Sequence, residues 1–294
     1  MAARPLPRAP ASRRGRPGVS PSAPRPGAAA PVVVVTGTDT GIGKTLVAAG
    51  LARALSDRGL EVRALKPVES GVDELAREEE DGVVLAGAAR QGEPGEALDR
   101  LGRPLAPPLA AGPEGVELDV GAWRRAVASA AAEADVVLVE GAGGVLSPLA
   151  PDTSARELSR SLGAAALLVA PDRLGTLTHT LTALEALAAG DVPVLGVVLS
   201  APEEADDSTG TNAASLREHG NLSRVATLPR VEGVADAAAR LREVAEWVAP
   251  ADTEGPAPRP DARGGGEGRP EARGGEGEAD AGAADEEPGG AAGG

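Results

Sequence analysis

Two lysines mark the residues able to do chemistry. Of 29 basic Lys and Arg residues only Lys44 and Lys66 are lysine, and the remaining 27 are arginine. Arginine presents a broad planar fork, whereas lysine is a compact ammonium on a thin stem. A site that must fit a point charge between phosphate oxygens selects the lysine. Lys44 lies in Gly37-Thr38-Asp39-Thr40-Gly41-Ile42-Gly43-Lys44-Thr45, which follows the apolar run Pro31–Val35. Such a Gly-rich turn lets backbone wrap an anion, and the N–H groups opening the next helix point at it. Lys44 is expected to reach the β- and γ-phosphates of ATP, and Thr45 to place its hydroxyl on Mg²⁺. The usual G-x-x-x-x-G-K-[ST] spacing would put its first Gly at position 38. Here that residue is Thr38 and the Gly is Gly37, so the loop is a variant.

A second motif is the apolar stretch Val136–Glu140, followed by Gly141, Ala142, Gly143 and Gly144. A strand ending in an acid can deliver a carboxylate beside Mg²⁺, and the glycines let a ligand approach the backbone. The third motif is Lys66-Pro67-Val68-Glu69-Ser70-Gly71. A cation there could stabilise charge on a transferring phosphoryl group, and Ser70 could hold substrate or phosphate.

The elements that must position these motifs follow from periodicity. Short apolar runs predict strands at Pro31–Val35, Val62–Leu65, Val136–Glu140, Ala165–Ala170, Val194–Leu199 and Val225–Leu228. Helical spacing predicts helices at Lys44–Ser56, Val83–Arg90, Gly121–Glu133, Ser154–Leu162, Thr176–Ala189, Asn212–Glu218 and Val234–Val248. Residues 71–81 read as an acidic loop and 92–118 as irregular. Alternating strands and helices predict an α/β fold: a doubly wound, mostly parallel sheet with helices on both faces, of the P-loop NTPase type. Ligands in that architecture sit beyond the carboxyl ends of the strands.

Composition bounds the rest. The Arg/Pro-rich head, residues 1–30, and the Gly/Ala/acidic tail, residues 250–294, lack the apolar content to fold and are expected to be disordered. The folded domain is expected over 31–249. Net charge is −15 overall and −14 between the two ends. That surface argues against nucleic acid and against anionic membranes. The absence of Cys excludes a disulfide framework, a thiolate nucleophile and Cys-ligated zinc. No apolar run approaches the roughly 18 residues that span a bilayer. The head has no apolar secretory core, so a cytoplasmic location is expected.

Taken together, Gly37–Thr45, Lys66–Gly71, Glu140–Gly144 and Leu174-Gly175-Thr176-Leu177-Thr178-His179-Thr180 resemble dethiobiotin synthetase, in that family's order and at similar spacing. The resemblance covers about residues 32–248. It implies an ATP- and Mg²⁺-dependent cyclo-ligase acting on 7,8-diaminononanoate and CO₂ through a carbamate and its phosphorylated anhydride. It implies Mg²⁺ held by Thr45, Glu140 and an Asp after the second strand, for which Asp81 fits best because an apolar helix follows it. The implied nucleotide contacts are Thr40, Gly41, Ile42, Gly43, Lys44, Thr45 and Leu46, then Asp81, Glu140, Gly141, Ala142 and Gly143. Ser200 and the Leu228-Pro229-Arg230 loop complete them around the base.

By the same resemblance Lys44 and Lys66 carry the catalysis. Thr40, Lys66 and Ser70 face the diamine. Gly175, Thr176, Leu177 and Thr178 take the substrate carboxylate across a homodimer interface. The family often has Asn where Thr178 and Ser200 stand. A single hydroxyl at Ser200 offers less than a paired donor and acceptor, which predicts weak base selectivity. His179 reads as structural, His219 as solvated, and Trp123 and Trp247 as packing residues. Two alternatives share the fold. Corrin-amidating enzymes carry a glutaminase domain and a nucleophilic Cys, absent here. Partition and division-site switch ATPases carry a signature Lys where this chain has Asp39. A non-catalytic nucleotide binder would not need Lys44, Thr45, Lys66 and Glu140 together.

Overall fold

The computed structural model describes residues 30–249; apart from Ala30, the expected head and tail lie outside the described residues. In chain order the elements begin with β1 (Val32–Gly37), α1 (Lys44–Ser56), β2 (Val62–Leu65), β3 (Val68–Ser70), α2 (Asp81–Ala89), β4 (Asp99–Leu101), α3 (Pro107–Glu114) and α4 (Val120–Glu133). They continue with β5 (Val136–Gly144), β6 (Pro148–Ala150), β7 (Thr153–Ser154), α5 (Ala155–Leu162), β8 (Ala165–Pro171) and α6 (Thr176–Ala189). The last are β9 (Val194–Ser200), α7 (Asn212–Gly220), β10 (Val225–Leu228), α8 (Val234–Arg240) and α9 (Arg242–Val248).

Six strands form one sheet in the order β10-β9-β8-β1-β5-β2, with every pairing parallel. Parallel strands buried on both faces need apolar residues at successive positions, and β1 and β5 supply them. Val33 and Val35 of β1 join Val136 and Leu138 of β5 under α1, α2, α8 and α9. Val34, Val137 and Val139 face the other way, into the layer of α3, α4 and α5. Each such side chain contributes about 1.5–3 kcal/mol on burial. Strand order reverses at β1, with β5 and β2 on one side and β8, β9 and β10 on the other. The loop after β1 therefore opens at the switch point, where doubly wound sheets place ligands.

The doubly wound parallel sheet is as the pattern predicts, and differences are local. The stretch 92–118, expected to be irregular, contains β4 and α3. Its Pro107-Pro108 pair starts α3 rather than breaking it, because proline at the first helical positions lacks only an N–H that has no partner there. β2 ends at Leu65, before Pro67, as expected, and a separate short strand, β3, starts at Val68 and pairs with β4. The acidic loop 71–81 holds two short 3₁₀ turns, Val72–Glu74 and Arg77–Glu79, and Asp81 already belongs to α2. The expected single helix 234–248 breaks at buried Leu241, whose ψ of 15° leaves the helical range.

Candidate active site

The loop joining β1 to α1 is built as the spacing requires. Gly43 holds φ at +88°, a left-handed conformation that favours glycine. A Cβ at Gly43 would also lie 2.7 Å from Ser200 Oγ, so the loop packs directly on the end of β9. Lys44 is buried, and its Nζ donates to the Asp39 carbonyl at 2.7 Å. Burial lowers its pKa. The ammonium is thus folded back onto its own loop.

Four of the expected residues meet below this loop. Thr45 Oγ1 donates toward Asp81 Oδ1 at 2.6 Å and lies 2.9 Å from Glu140 Oε1. Lys66 Nζ donates to Asp81 Oδ2 at 2.5 Å and to Glu140 Oε1 at 2.8 Å. Lys66 is 3% exposed and Glu140 2%, so this is a buried charge cluster rather than a surface ion pair. Burial opposes the Lys66 ammonium, but Glu140 and Asp81 outweigh it and hold the pKa above the usual lysine value. Burial likewise opposes ionised Asp81, yet Lys66 and Thr45 keep its carboxyl below the usual range. Glu140 goes the other way: burial, with the Asp81 charge adding to it, pushes its carboxyl up despite the Lys66 ammonium beside it, so one ammonium offsets only part of the cost of two buried carboxylates.

The donor set fits a hard cation. Thr45, Asp81 and Glu140 converge as one hydroxyl and two carboxylates, and Glu140 Oε2 is buried with no hydrogen-bond partner. Among the described residues no group of three or more His, Cys, Asp or Glu gathers to cage a metal. Mg²⁺ does not need one. It keeps several waters and is bound by one or two carboxylates plus substrate phosphates.

A cleft of about 520 Å³ lies beside the loop, lined by Thr40, Gly41, Ile42, Gly43 and Leu46 on one side. Ser200, Pro229 and Arg230 line the other. Leu228, the last residue of β10, is buried in the core and not in the lining. The cleft also takes in Pro171, Arg173, Ala201, Pro202, Glu203 and Val231, which motif reading passed over. Their signal is positional, since Pro171 ends β8 and the others follow the carboxyl ends of β8, β9 and β10. Gly141, Ala142 and Gly143 continue β5 past Glu140, and a Cβ at Gly143 would lie 3.7 Å from Thr40 Oγ1. Ser70 ends β3, half-buried.

The turn opening α6 stands apart. Gly175 and Thr178 are exposed, Leu177 is half-buried, and Thr176 is buried with Oγ1 3.5 Å from Thr180 Oγ1. Among the described residues no hydrogen bond or ion pair joins this turn to the Lys66 cluster; its Leu174 N–H donates to Asp206 at 2.8 Å. His179 and His219 are exposed. Trp123 is buried, its indole N–H donating to Asp99 at 2.6 Å, and Trp247 packs in the core under α1.

A P-loop at the switch point of a parallel sheet, over a buried Lys–carboxylate–Thr cluster, defines a nucleotide-binding α/β enzyme fold. The AAA domain family model accordingly matches residues 32–238. The ATP-dependent dethiobiotin synthetase BioD of Anaeromyxobacter dehalogenans (strain 2CP-C) is 39% identical over 214 residues, covering 71% of this chain and 95% of that protein. The namesake of Rhodopseudomonas palustris (strain TIE-1) is 39% identical over 228 residues, covering 77% and 98%. That of Caulobacter sp. (strain K31) reaches 45% over 190 residues, covering 63% and 82%. The chain belongs to the ATP-dependent dethiobiotin synthetase family. Solved structures overlay more loosely. The septum site-determining protein MinD complexed with Mg-ADP from Pyrococcus horikoshii OT3 gives a TM-score of 0.49 at 18% identity, covering 74% of this chain and 96% of that one.

Proposed function

We propose that this protein is an ATP- and Mg²⁺-dependent cyclo-ligase that makes dethiobiotin from 7,8-diaminononanoate and CO₂ in biotin biosynthesis. One amine of the diamine captures CO₂ as a carbamate. The γ-phosphoryl group of ATP passes to a carbamate oxygen, giving a mixed anhydride and ADP. The neighbouring amine attacks the carbonyl carbon, the C–O bond to phosphate breaks, and the ureido ring closes with loss of phosphate. The observation that carries this reading is the buried Lys66 cluster directly beneath the P-loop.

Carbamate and γ-phosphate are both anionic, so the chain must overcome their repulsion before they can react. Lys44 would grip the β- and γ-phosphates. Lys66 would hold positive charge beside the carbamate and the phosphoryl group in transit. Thr45, Asp81 and Glu140 would hold Mg²⁺, which supplies charge neutralisation at the phosphates. Thr40 and Ser70 would line the diamine. The cleft from Thr40 to Leu46, with Ser200 and the Pro229-Arg230 loop, would take the nucleotide. The turn Gly175–Thr178 would take the substrate carboxylate, supplied across a homodimer, through the N–H groups that open α6, the Thr176 N–H already donating to the Arg173 carbonyl at 3.1 Å. The exposure of that turn and of Leu174 (82%) supports a role completed by a second subunit. A cytoplasmic location accords with this substrate set, and no described helix is long and apolar enough to cross a membrane.

Incubation with ATP, Mg²⁺, the diamine and isotopically labelled bicarbonate tests the reaction, with label expected in the ureido carbonyl of dethiobiotin. Nucleotide turnover without labelled product would refute it. A mass measurement in solution is expected to give two subunits, and a monomer with full activity would refute the shared carboxylate site. Truncation to residues 31–250 is expected to leave turnover intact.

A further inference from the structure

Asp81 reaches Thr45 and Lys66 only if the turn that carries it is held still, and the hydrogen bonds that hold it come from elsewhere in the chain. Glu80 occupies the N-cap position of α2, but its side chain makes no cap bond. The open N–H groups are taken instead by Glu69, twelve residues earlier on β3. Its Oε1 accepts from Asp81 N–H at 2.6 Å and its Oε2 from Gly82 N–H at 3.0 Å. Glu69 is 3% exposed, so both bonds are made away from water.

The same small sheet grips the turn a second time. Arg100 of β4 stands opposite Glu69 in the β3–β4 register. Its guanidinium is bidentate to Glu80, at 2.6 Å and 2.8 Å, and Arg77 adds a third bond to Glu80 at 2.8 Å. Gly82 closes the third side. A Cβ there would lie 2.2 Å from Ala97 N, so only glycine lets the turn lie against the backbone at 96–97.

We propose that Glu69 is a positioning residue for the reaction: it caps α2 from another strand and fixes the direction of Asp81, and so sets the affinity for Mg²⁺. This rests on the reading of Asp81 as a metal ligand. Partners that orient a ligand typically govern metal affinity as strongly as some ligands do. Both carboxylate oxygens of Glu69 are used, so a glutamine retains one acceptor and turns an NH₂ group toward the other N–H.

The test is calorimetric Mg²⁺ titration of the full chain with a non-hydrolysable ATP analogue, beside the Mg²⁺ dependence of dethiobiotin formation, comparing wild type with Glu69→Gln, Glu69→Ala and Asp81→Asn. Glu69→Gln is expected to raise the half-saturating Mg²⁺ concentration about tenfold and Glu69→Ala further, toward about a hundredfold. Turnover at saturating Mg²⁺ is expected to stay within a few-fold of wild type, which a loss of folded protein would not allow. The near-isosteric Gln variant keeps the proposal testable if the Ala variant does not fold. An unchanged Mg²⁺ dependence in Glu69→Gln and any folded Glu69→Ala, with Asp81→Asn impaired, would overturn the role of Glu69 alone. An unchanged dependence in Asp81→Asn would overturn the ligand reading beneath it.

Discussion

The loop at residues 37–45 and the segment at 66–101 both feed the buried cluster, and they are built in opposite ways. The loop is a contiguous strand-turn-helix shaped mainly by its own residues, Gly43 at positive φ and the helix that starts at Lys44, with backbone bonds from Thr38 N–H to Val169 and from Val145 N–H to Gly37 tying it to the sheet. The segment is an assembly. Lys66 leaves β2, Glu69 comes from β3, Arg100 from β4 and Asp81 from the start of α2, and their bonds span twelve to twenty residues of sequence. A turn of neighbouring residues can present its N–H groups to an anion. Setting a carboxylate and an ammonium side by side in the interior requires several elements to agree, because an unpaired buried charge costs several kcal/mol.

Substitutions can break this contrast. Lys44→Ala removes the charge the loop exists to hold, and is expected to lower turnover by about 10³-fold while leaving thermal stability near wild type. Lys66→Ala is expected to cost about 10²-fold in turnover. It should also lower the melting temperature, because Asp81 and Glu140 then face each other without a cation; steady-state kinetics and calorimetry on the same preparations separate the two effects. If Lys44→Ala destabilised the fold and Lys66→Ala did not, the contrast would be reversed.

Trp123→Phe is a milder probe of the assembled segment. It keeps an aromatic ring in the core but leaves a small void and strips Asp99 on β4 of the indole N–H it accepts from, for an expected loss of about 1–3 kcal/mol by chemical denaturation.

A control comes from α5, whose capping is local. Ser154 and Glu157 form a capping box, the Ser154 hydroxyl donating to the Glu157 carboxylate. Burial opposes ionised Glu157, but bonds from Ser154 and Arg156 outweigh it and bring the pKa from 4.5 down to about 2. The folded value is depressed, so this contact stabilises fully above the unfolded pKa and is lost as pH falls from about 4.5 toward 2. Ser154→Ala is expected to cost about 1 kcal/mol at neutral pH, less at acid pH, with no change in Mg²⁺ dependence. The smallest effect is expected at the base. Ser200 Oγ packs on Gly43, so ATP, CTP and GTP should differ little in kcat/KM, and a strict preference for ATP would contradict this.

The same contrast explains what was legible in the sequence. The P-loop, the β5 acid and the alternation of strands and helices are written in neighbouring residues, and they point to the parallel sheet and to Lys44, Thr45 and Glu140; Lys66 stands out only as one of two lysines, and its role comes from the resemblance. Asp81 was placed only by resemblance, from among four successive acids, because its partners lie far along the chain. Glu69 was visible but had no role until β3 and β4 paired. The strand and helix within 92–118 were hidden by prolines and glycines, whose local signal of disorder is overridden when β4 adds to β3 and Trp123 pins it. Arg173 and Glu203 in the cleft belong to no motif and follow only from the sheet's topology.

The most direct test is phosphate release from ATP and Mg²⁺ with bicarbonate, with and without 7,8-diaminononanoate, for wild type and Lys66→Ala. Release that requires the diamine, and that collapses in Lys66→Ala, is the predicted result. Release without the diamine that is indifferent to the substitution would identify a general P-loop nucleotidase, and would contradict the assignment of Lys66 and its carboxylates to carbamate chemistry.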